Sequence, residues 1–262
     1  MTGCRGMLGS AVMRVLGDSA LGVDLPELDI TDPASVERII RKWDPEWIVN
    51  CAAMTDVDAC QSDPSEAFRV NASGAALLSR TGRRLLTIST DHVFGGAPLD
   101  REPIPETAVP APVNVYGESK LAGEEEVLAV PGNIVVRTSW LFHRRSGLVP
   151  FLWRSLSEHG SVTAVSDQVA AVTYAPDLAR TISMLTEQGA EGVFHAVNRG
   201  GVTPFGLATV LSGTTGGTVV ESSWKDLGLA APRPVYSVLG SVRGVQMPSC
   251  RDALDRWRRA DG

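Results

Sequence analysis

The stretch Gly3-Cys4-Arg5-Gly6-Met7-Leu8-Gly9, followed without a break by the apolar helical pattern Met7 to Leu16, decides how the rest of this chain is read. Glycines at this spacing let a backbone approach a diphosphate closely, and the helix that follows offers its unpaired N–H groups to an anion. Taken alone, the loop is also compatible with a simple turn in a chain that holds 26 glycines. A dinucleotide fold needs a strand before such a loop, yet only Met1 and Thr2 precede Gly3. The expectation is therefore a truncated or missing first strand, or a start that lies upstream. Asp24 stands 21 positions beyond Gly3, where an acid commonly meets the adenosine ribose and favours NAD. Arg5, inside the loop, argues for a phosphate on that ribose, so NADPH and NADH both stay open.

Outward from the loop, β-rich apolar runs alternate with amphipathic segments, the pattern of a parallel sheet flanked by helices. Strands are expected at Gly22–Leu25, Trp47–Ala52, Leu85–Ser89, Ile134–Arg137, Val162–Val165 and Val193–Val197. Helices are expected after the capping Asp32, and at Ser65–Leu78, Ser119–Leu128, Leu148–His159, Pro176–Glu187 and Pro204–Leu211. Residues from about 91 to 115 are rich in Pro and Gly and read as a functional loop. This gives a Rossmann-type doubly wound α/β fold, with a dinucleotide-binding core over residues 1–140. Residues 141–262, where the alternation loosens, would form a smaller, mainly substrate-binding lobe interleaved with the last sheet strands.

Composition sets the outer bounds. The 262 residues carry a net charge of −6 with 44% hydrophobic residues, which excludes a broad nucleic-acid surface. No apolar run approaches the roughly 18 residues of a membrane helix. Cys4, Cys51, Cys60 and Cys250 show no CxxC spacing, so no metal site is read and reduced thiols in the cytoplasm are expected.

The chemistry-bearing element is Tyr116-Gly117-Glu118-Ser119-Lys120. At i and i+4 the phenol and the ammonium share a helix face. A neighbouring cation favours the phenolate and so eases proton donation at neutral pH. With three Tyr and three Lys in the chain, chance gives such a pair in roughly 3% of arrangements. The pair follows a strand ending in Ser89-Thr90, and hydroxyls at the carboxyl end of a parallel strand face the ligand crevice.

Longer stretches then add a resemblance. Leu28 to Asp32, Val49 to Asp58, Arg69 to Ala72, Ser89 to Phe94, Asn114 to Glu124 and Arg137 to Trp140 resemble, in order, the extended short-chain dehydrogenases, and in particular the dTDP-4-dehydrorhamnose reductase family. The resemblance implies reduction of the C4 keto group of a dTDP-4-keto-6-deoxy sugar by NADPH or NADH, with Mg²⁺ as a further family feature and a homodimer as the assembly. It implies catalytic roles for Thr90, Tyr116 and Lys120. Cofactor contacts would come from Gly3, Arg5, Gly6, Met7, Leu8, Asp24, Asp29, Ile30, Cys51, Ala52, Ala53 and Thr55, together with Tyr116 and Lys120. Substrate contacts would come from Thr90, His92, Trp140, Gln168 and Arg233. Departures are visible too: His92 stands where the family has tyrosine, Ala170 and Val172 stand where it has Gly and Pro, and the segment from Asn71 to Ser89 is about one turn short. Two other functions fit the same residues: a sugar-nucleotide epimerase or reductase of different stereochemistry, and a non-catalytic dinucleotide-binding regulatory subunit.

Overall fold

The computed structural model describes residues 1–95, 102–144 and 146–261. Its centre is a parallel sheet in the order Trp47–Asn50, Arg84–Thr90, Ile134–Thr138, Gly192–His195. All of its pairings are parallel, as buried, Val- and Ile-rich strands require. Helices Met7–Leu16 and Ala175–Glu187 cover one face around Leu8, Val12, Leu178 and Ile182. Helices Pro33–Trp43, Gly74–Ser79 and Val115–Leu128 are placed against the other, around Leu28, Val36, Leu78 and Val127. Two covered faces make the doubly wound arrangement.

The expected gap at the first strand is filled in part. Thr2 bridges Val23 on one side and Asn50 on the other, both in parallel. The Thr2 amide donates to the Val49 carbonyl at 2.9 Å, and the Thr2 carbonyl accepts from Cys51 at 3.3 Å. Two residues thus do the pairing of a central strand, and the buried Thr2 hydroxyl adds a 2.6 Å bond to Asn50. Beyond it, the strand expected at Gly22–Leu25 contracts to the single bridge at Val23.

Other expectations shift locally. The helix expected over Ser65–Leu78 runs without a gap through Pro64–Phe68, a π turn at Arg69–Ser73, and Gly74–Ser79. The helix expected from Ser119 starts at Val115, because Asn114 caps it by accepting from the Gly117 amide. The strand at Val162–Val165 is displaced from the main sheet and pairs instead with Thr218–Ser222. The 91–115 loop contains a 3₁₀ turn at Asp91–Val93 and a bridge from Phe94 to Ala111, while residues 96–101 lie outside the described residues.

The later residues gather a separate core of Phe142, Leu152, Leu156, Leu211 and Trp257 between helices Leu148–His159, Pro204–Thr215 and Cys250–Asp261. The last of these adds to the expected helices, and Ala253, Leu254 and Trp257 give it an apolar stripe. Its Arg256 holds the buried Asp177 through bonds of 2.7 and 2.6 Å.

Candidate active site

The glycine loop opens directly off Thr2, between the central strand Trp47–Asn50 and the bridge to Val23. Here the strand order reverses, the place where open α/β sheets bind ligands. Gly3 has φ +64°, and a Cβ on it would lie 2.7 Å from the Ala52 nitrogen. A Cβ on Gly9 would lie 2.0 Å from the Gly3 carbonyl oxygen. Both positions therefore demand glycine. No side chain caps the helix that starts at Met7, which leaves its N-terminal N–H groups available to an anion.

A cleft of about 420 Å³ runs from this loop to the end of the strand Arg84–Thr90. It brings together Gly3, Gly6, Met7, Leu8, Cys51, Ala53, Thr55, Thr90, His92, Tyr116, Lys120 and Trp140. Arg5, Asp24, Asp29, Ile30 and Ala52 do not line it. Arg5 borders a neighbouring opening with Gly6 and Met7. Its guanidinium pairs with Glu27 at 2.8 Å in the open, and its amide donates to Asp24. Asp24 also accepts the Leu25 amide, so its carboxylate serves local turns. Asp29 accepts from the amide and hydroxyl of Thr31, and Ile30 is buried against the position of Gly74.

A second cavity of about 410 Å³ adjoins the cleft and shares Val57, His92 and Trp140 with it. Gln168 and Arg233 line this second space. The Gln168 amide nitrogen is buried and has no hydrogen-bond partner there, whereas its neighbour Asp167 is engaged by Ser223 and the Trp224 amide. The Arg233 guanidinium is already neutralised by Asp58 at 2.7 Å. Trp140 sits at the seam with φ +23°, a strained backbone for a bulky residue.

Tyr116 and Lys120 emerge on one face of the helix Val115–Leu128, both within the cleft. Burial pushes the Tyr116 phenol above its ordinary value, and a hydrogen bond with Thr90 opposes that rise. Burial also pulls the Lys120 ammonium down to about 8, against the attraction of Glu124, Cys51 and Cys60. Desolvation is the largest influence on the phenol, and Asp91 and Cys60 add to the rise that Thr90 opposes. Cys51 is likewise pushed up to about 12 by burial and is a neutral thiol.

Three residues outside the expected site hold this arrangement together. Asn71, in the π turn, accepts from the Met54 amide and donates to the Met54 carbonyl and the Ser119 hydroxyl, at 2.9 to 3.0 Å. It thereby clamps the Asn50–Thr55 loop to the Tyr116 helix. Glu124, one turn after Lys120, lies buried between Ser89 and Arg137, with Arg137 bonds of 2.6 to 3.1 Å. Asn114 caps the helix and reaches His92. All three lie inside the stretches that carry the family resemblance, which is the signal the sequence offers for them. Among the described residues, no group of three or more His, Cys, Asp or Glu could hold a metal ion, and no helix is long and apolar enough to cross a membrane.

Comparison with known proteins places this geometry. The family model described as RmlD substrate binding domain matches residues 1–260. A dTDP-4-dehydrorhamnose reductase of Mycobacterium tuberculosis is 41% identical over 260 residues, covering 92% of this chain and 84% of the relative. A dTDP-4-keto-6-deoxy-D-glucose reductase of Streptomyces niveus is 36% identical and covers 99% and 90%. The crystal structure of a dTDP-4-dehydrorhamnose reductase from Bacillus anthracis, in complex with NADP, superposes with a TM-score of 0.92 at 32% identity, over 99% of this chain and 97% of that one. A glycine loop at the strand reversal, a Tyr-Lys pair facing it, and these likenesses along nearly the whole length lead to one assignment: the chain belongs to the dTDP-4-dehydrorhamnose reductase family.

Proposed function

We propose that this chain reduces the C4 keto group of a dTDP-4-keto-6-deoxy sugar, in the cytoplasmic supply of deoxysugars such as rhamnose. The observation that carries the reading is the convergence of Thr90, Tyr116 and Lys120 in one cleft with the glycine loop. The names of relatives at 36–41% identity support the substrate class.

A reduced nicotinamide dinucleotide supplies the hydride when bound, and the cleft fits one. The uncapped helix start suits its diphosphate, and the buried Ser139 hydroxyl, which has no partner, belongs to a residue lining the same space. Gly3, Gly6, Met7 and Leu8 hold the diphosphate in this reading, Cys51, Ala52 and Ala53 flank the adenosine side, and Thr55 the nicotinamide side. Asp29 and Ile30 border the adenine. Asp24 accepts two backbone amides, and Arg5, held by Glu27 and the Leu25 carbonyl, lies at the same edge; together with the NADP-bound relative this supports NADPH. For Mg²⁺, the described residues present no cluster of candidate ligands.

Tyr116 gives its hydroxyl proton to the substrate oxygen as C4 becomes tetrahedral. Thr90 holds that oxygen and the phenol in one hydrogen-bonded line. Lys120 orients the ribose and, on protonation, stabilises the developing phenolate. His92, Trp140, Gln168 and Arg233 border the sugar nucleotide, so residues 141–262 act mainly as the substrate lobe and residues 1–140 as the dinucleotide core. The homodimer belongs to the same reading, and sedimentation velocity tests it.

The experiment is consumption of NADPH, and separately NADH, in the presence of a dTDP-4-keto-6-deoxy sugar, for the native chain and for Tyr116→Phe. Loss of roughly 100-fold or more in turnover, with the dinucleotide Kd held within about twofold, is expected. Equal turnover by the two proteins would remove Tyr116 as the acid, and absence of dinucleotide binding would remove the whole reading.

A further inference from the structure

His92 lies between the cofactor cleft and the second cavity, and lines both. Its ring meets the Tyr116 ring edge to face, with centroids 5.4 Å apart. The proton on this imidazole can be placed from its surroundings. Asn114 accepts the Gly117 amide through its Oδ1 at 2.8 Å, so its Nδ2 must face the other way. That nitrogen donates one hydrogen to the Pro232 carbonyl at 2.9 Å and directs the other at His92 Nδ1, 3.1 Å away. Turning the amide over would set Oδ1 against the Pro232 carbonyl and an N–H against the Gly117 N–H. The orientation is fixed at both ends, and a nitrogen that accepts a hydrogen bond carries no proton. The His92 proton therefore sits on Nε2, which has no partner among the described residues.

We propose that Asn114 is a positioning residue that locks His92 as the neutral Nε2–H tautomer, making His92 a fixed hydrogen-bond donor to an oxygen of the substrate adjacent to the reacting carbonyl, and not a second acid. The placement rests on the reductase reading of the cleft. Tyr116 serves the carbonyl oxygen, and the His92 ring, 5.4 Å from the phenol ring, lines both the same cleft and the adjoining cavity. A neutral donor of fixed geometry rejects an analogue that lacks the matching oxygen, because the buried N–H is then left unpaired. The charges around the ring agree with neutrality. Burial lowers the His92 pKa with Arg233 assisting, while Asp91 and the Asn114 hydrogen bond oppose; since the Asn114 group facing Nδ1 is its NH2, that bond is made by the neutral ring.

The test uses the full chain and two readouts. Long-range ¹H–¹⁵N correlation of the histidine rings reports the tautomer directly, with His92→Gln to assign the signal. The expected result is a bare Nδ1 and a protonated Nε2 at neutral pH and above. A protonated Nδ1 or an imidazolium at neutral pH overturns the proposal, whatever the enzyme reduces. Asn114→Asp keeps a good helix cap but replaces the amide donor by an acceptor. It is expected to move the proton to Nδ1, and to lower kcat/KM for the keto sugar about three- to tenfold, chiefly through KM, with the dinucleotide Kd unchanged. An unmoved proton in that variant, or a loss confined to kcat, contradicts the positioning role. If Asn114→Asp does not fold, the native spectrum and a KM effect of similar size in His92→Gln decide the matter. Failure of the native chain to reduce any keto sugar would refute the reductase reading while leaving the tautomer measurement valid.

Discussion

Replacing Glu124 by Gln should be the most costly single change behind the active site. The carboxylate is about 2% exposed, and its partner Arg137 about 5%. Three bonds of 2.6, 2.9 and 3.1 Å join them, and the Ser89 hydroxyl adds a fourth to the same carboxylate. Gln keeps the shape but leaves a guanidinium buried without a counter-charge. Stripping one partner from a buried pair costs about 3–5 kcal/mol, a large share of the roughly 5–15 kcal/mol of a whole domain. At about 2–4 °C per kcal/mol for a chain of this size, Tm should fall by roughly 6–20 °C. Urea unfolding of Glu124→Gln measures the loss. Because desolvation offsets much of the pair's attraction, the double variant Glu124→Leu with Arg137→Met should unfold at lower cost than Glu124→Leu alone. A Glu124→Gln penalty below about 1 kcal/mol, or a double variant as unstable as the sum of the singles, would show that the pair is not a desolvated, coupled unit.

Three further outcomes follow from the same packing. Lys120 loses its proton near 8 instead of 10.5, so kcat/KM should decline above about pH 8 as the ammonium disappears, and a flat profile from pH 7 to 10 would contradict this. Gly9→Ala puts a methyl 2.0 Å from the Gly3 carbonyl oxygen; dinucleotide affinity measured by titration should fall at least about tenfold, and native affinity would disprove the tight loop. The buried His195 has its pKa lowered, first by desolvation and further by Arg137, against the attraction of Glu106. Its neutral form belongs to the folded state, so stability should fall as pH drops below the ordinary 6.5, and His195→Gln should flatten that slope in urea titrations at successive pH values.

The local patterns set out the fold class and the chemical core of the site from the chain alone. Alternating apolar runs demand a two-sided parallel sheet, because such strands bury both faces and need helices on each. The i, i+4 spacing puts Tyr116 and Lys120 on one helix face wherever that helix goes. Positions 3 and 9 read as glycine for reasons the structure makes steric. What the sequence left out depends on contacts between residues far apart along it. Thr2 can stand in for a strand only because Val23 and Asn50 flank it in space. The tyrosine is driven up and the lysine down because surroundings assembled from several segments bury them. Asn71 and Asn114 read as ordinary polar residues until the fold brings Met54 to one and Pro232 to the other. Which nitrogen of His92 holds the proton is decided by a carbonyl more than a hundred residues away. Periodicity and spacing report what neighbouring residues do together, whereas desolvation and buried hydrogen bonds belong to the closed structure.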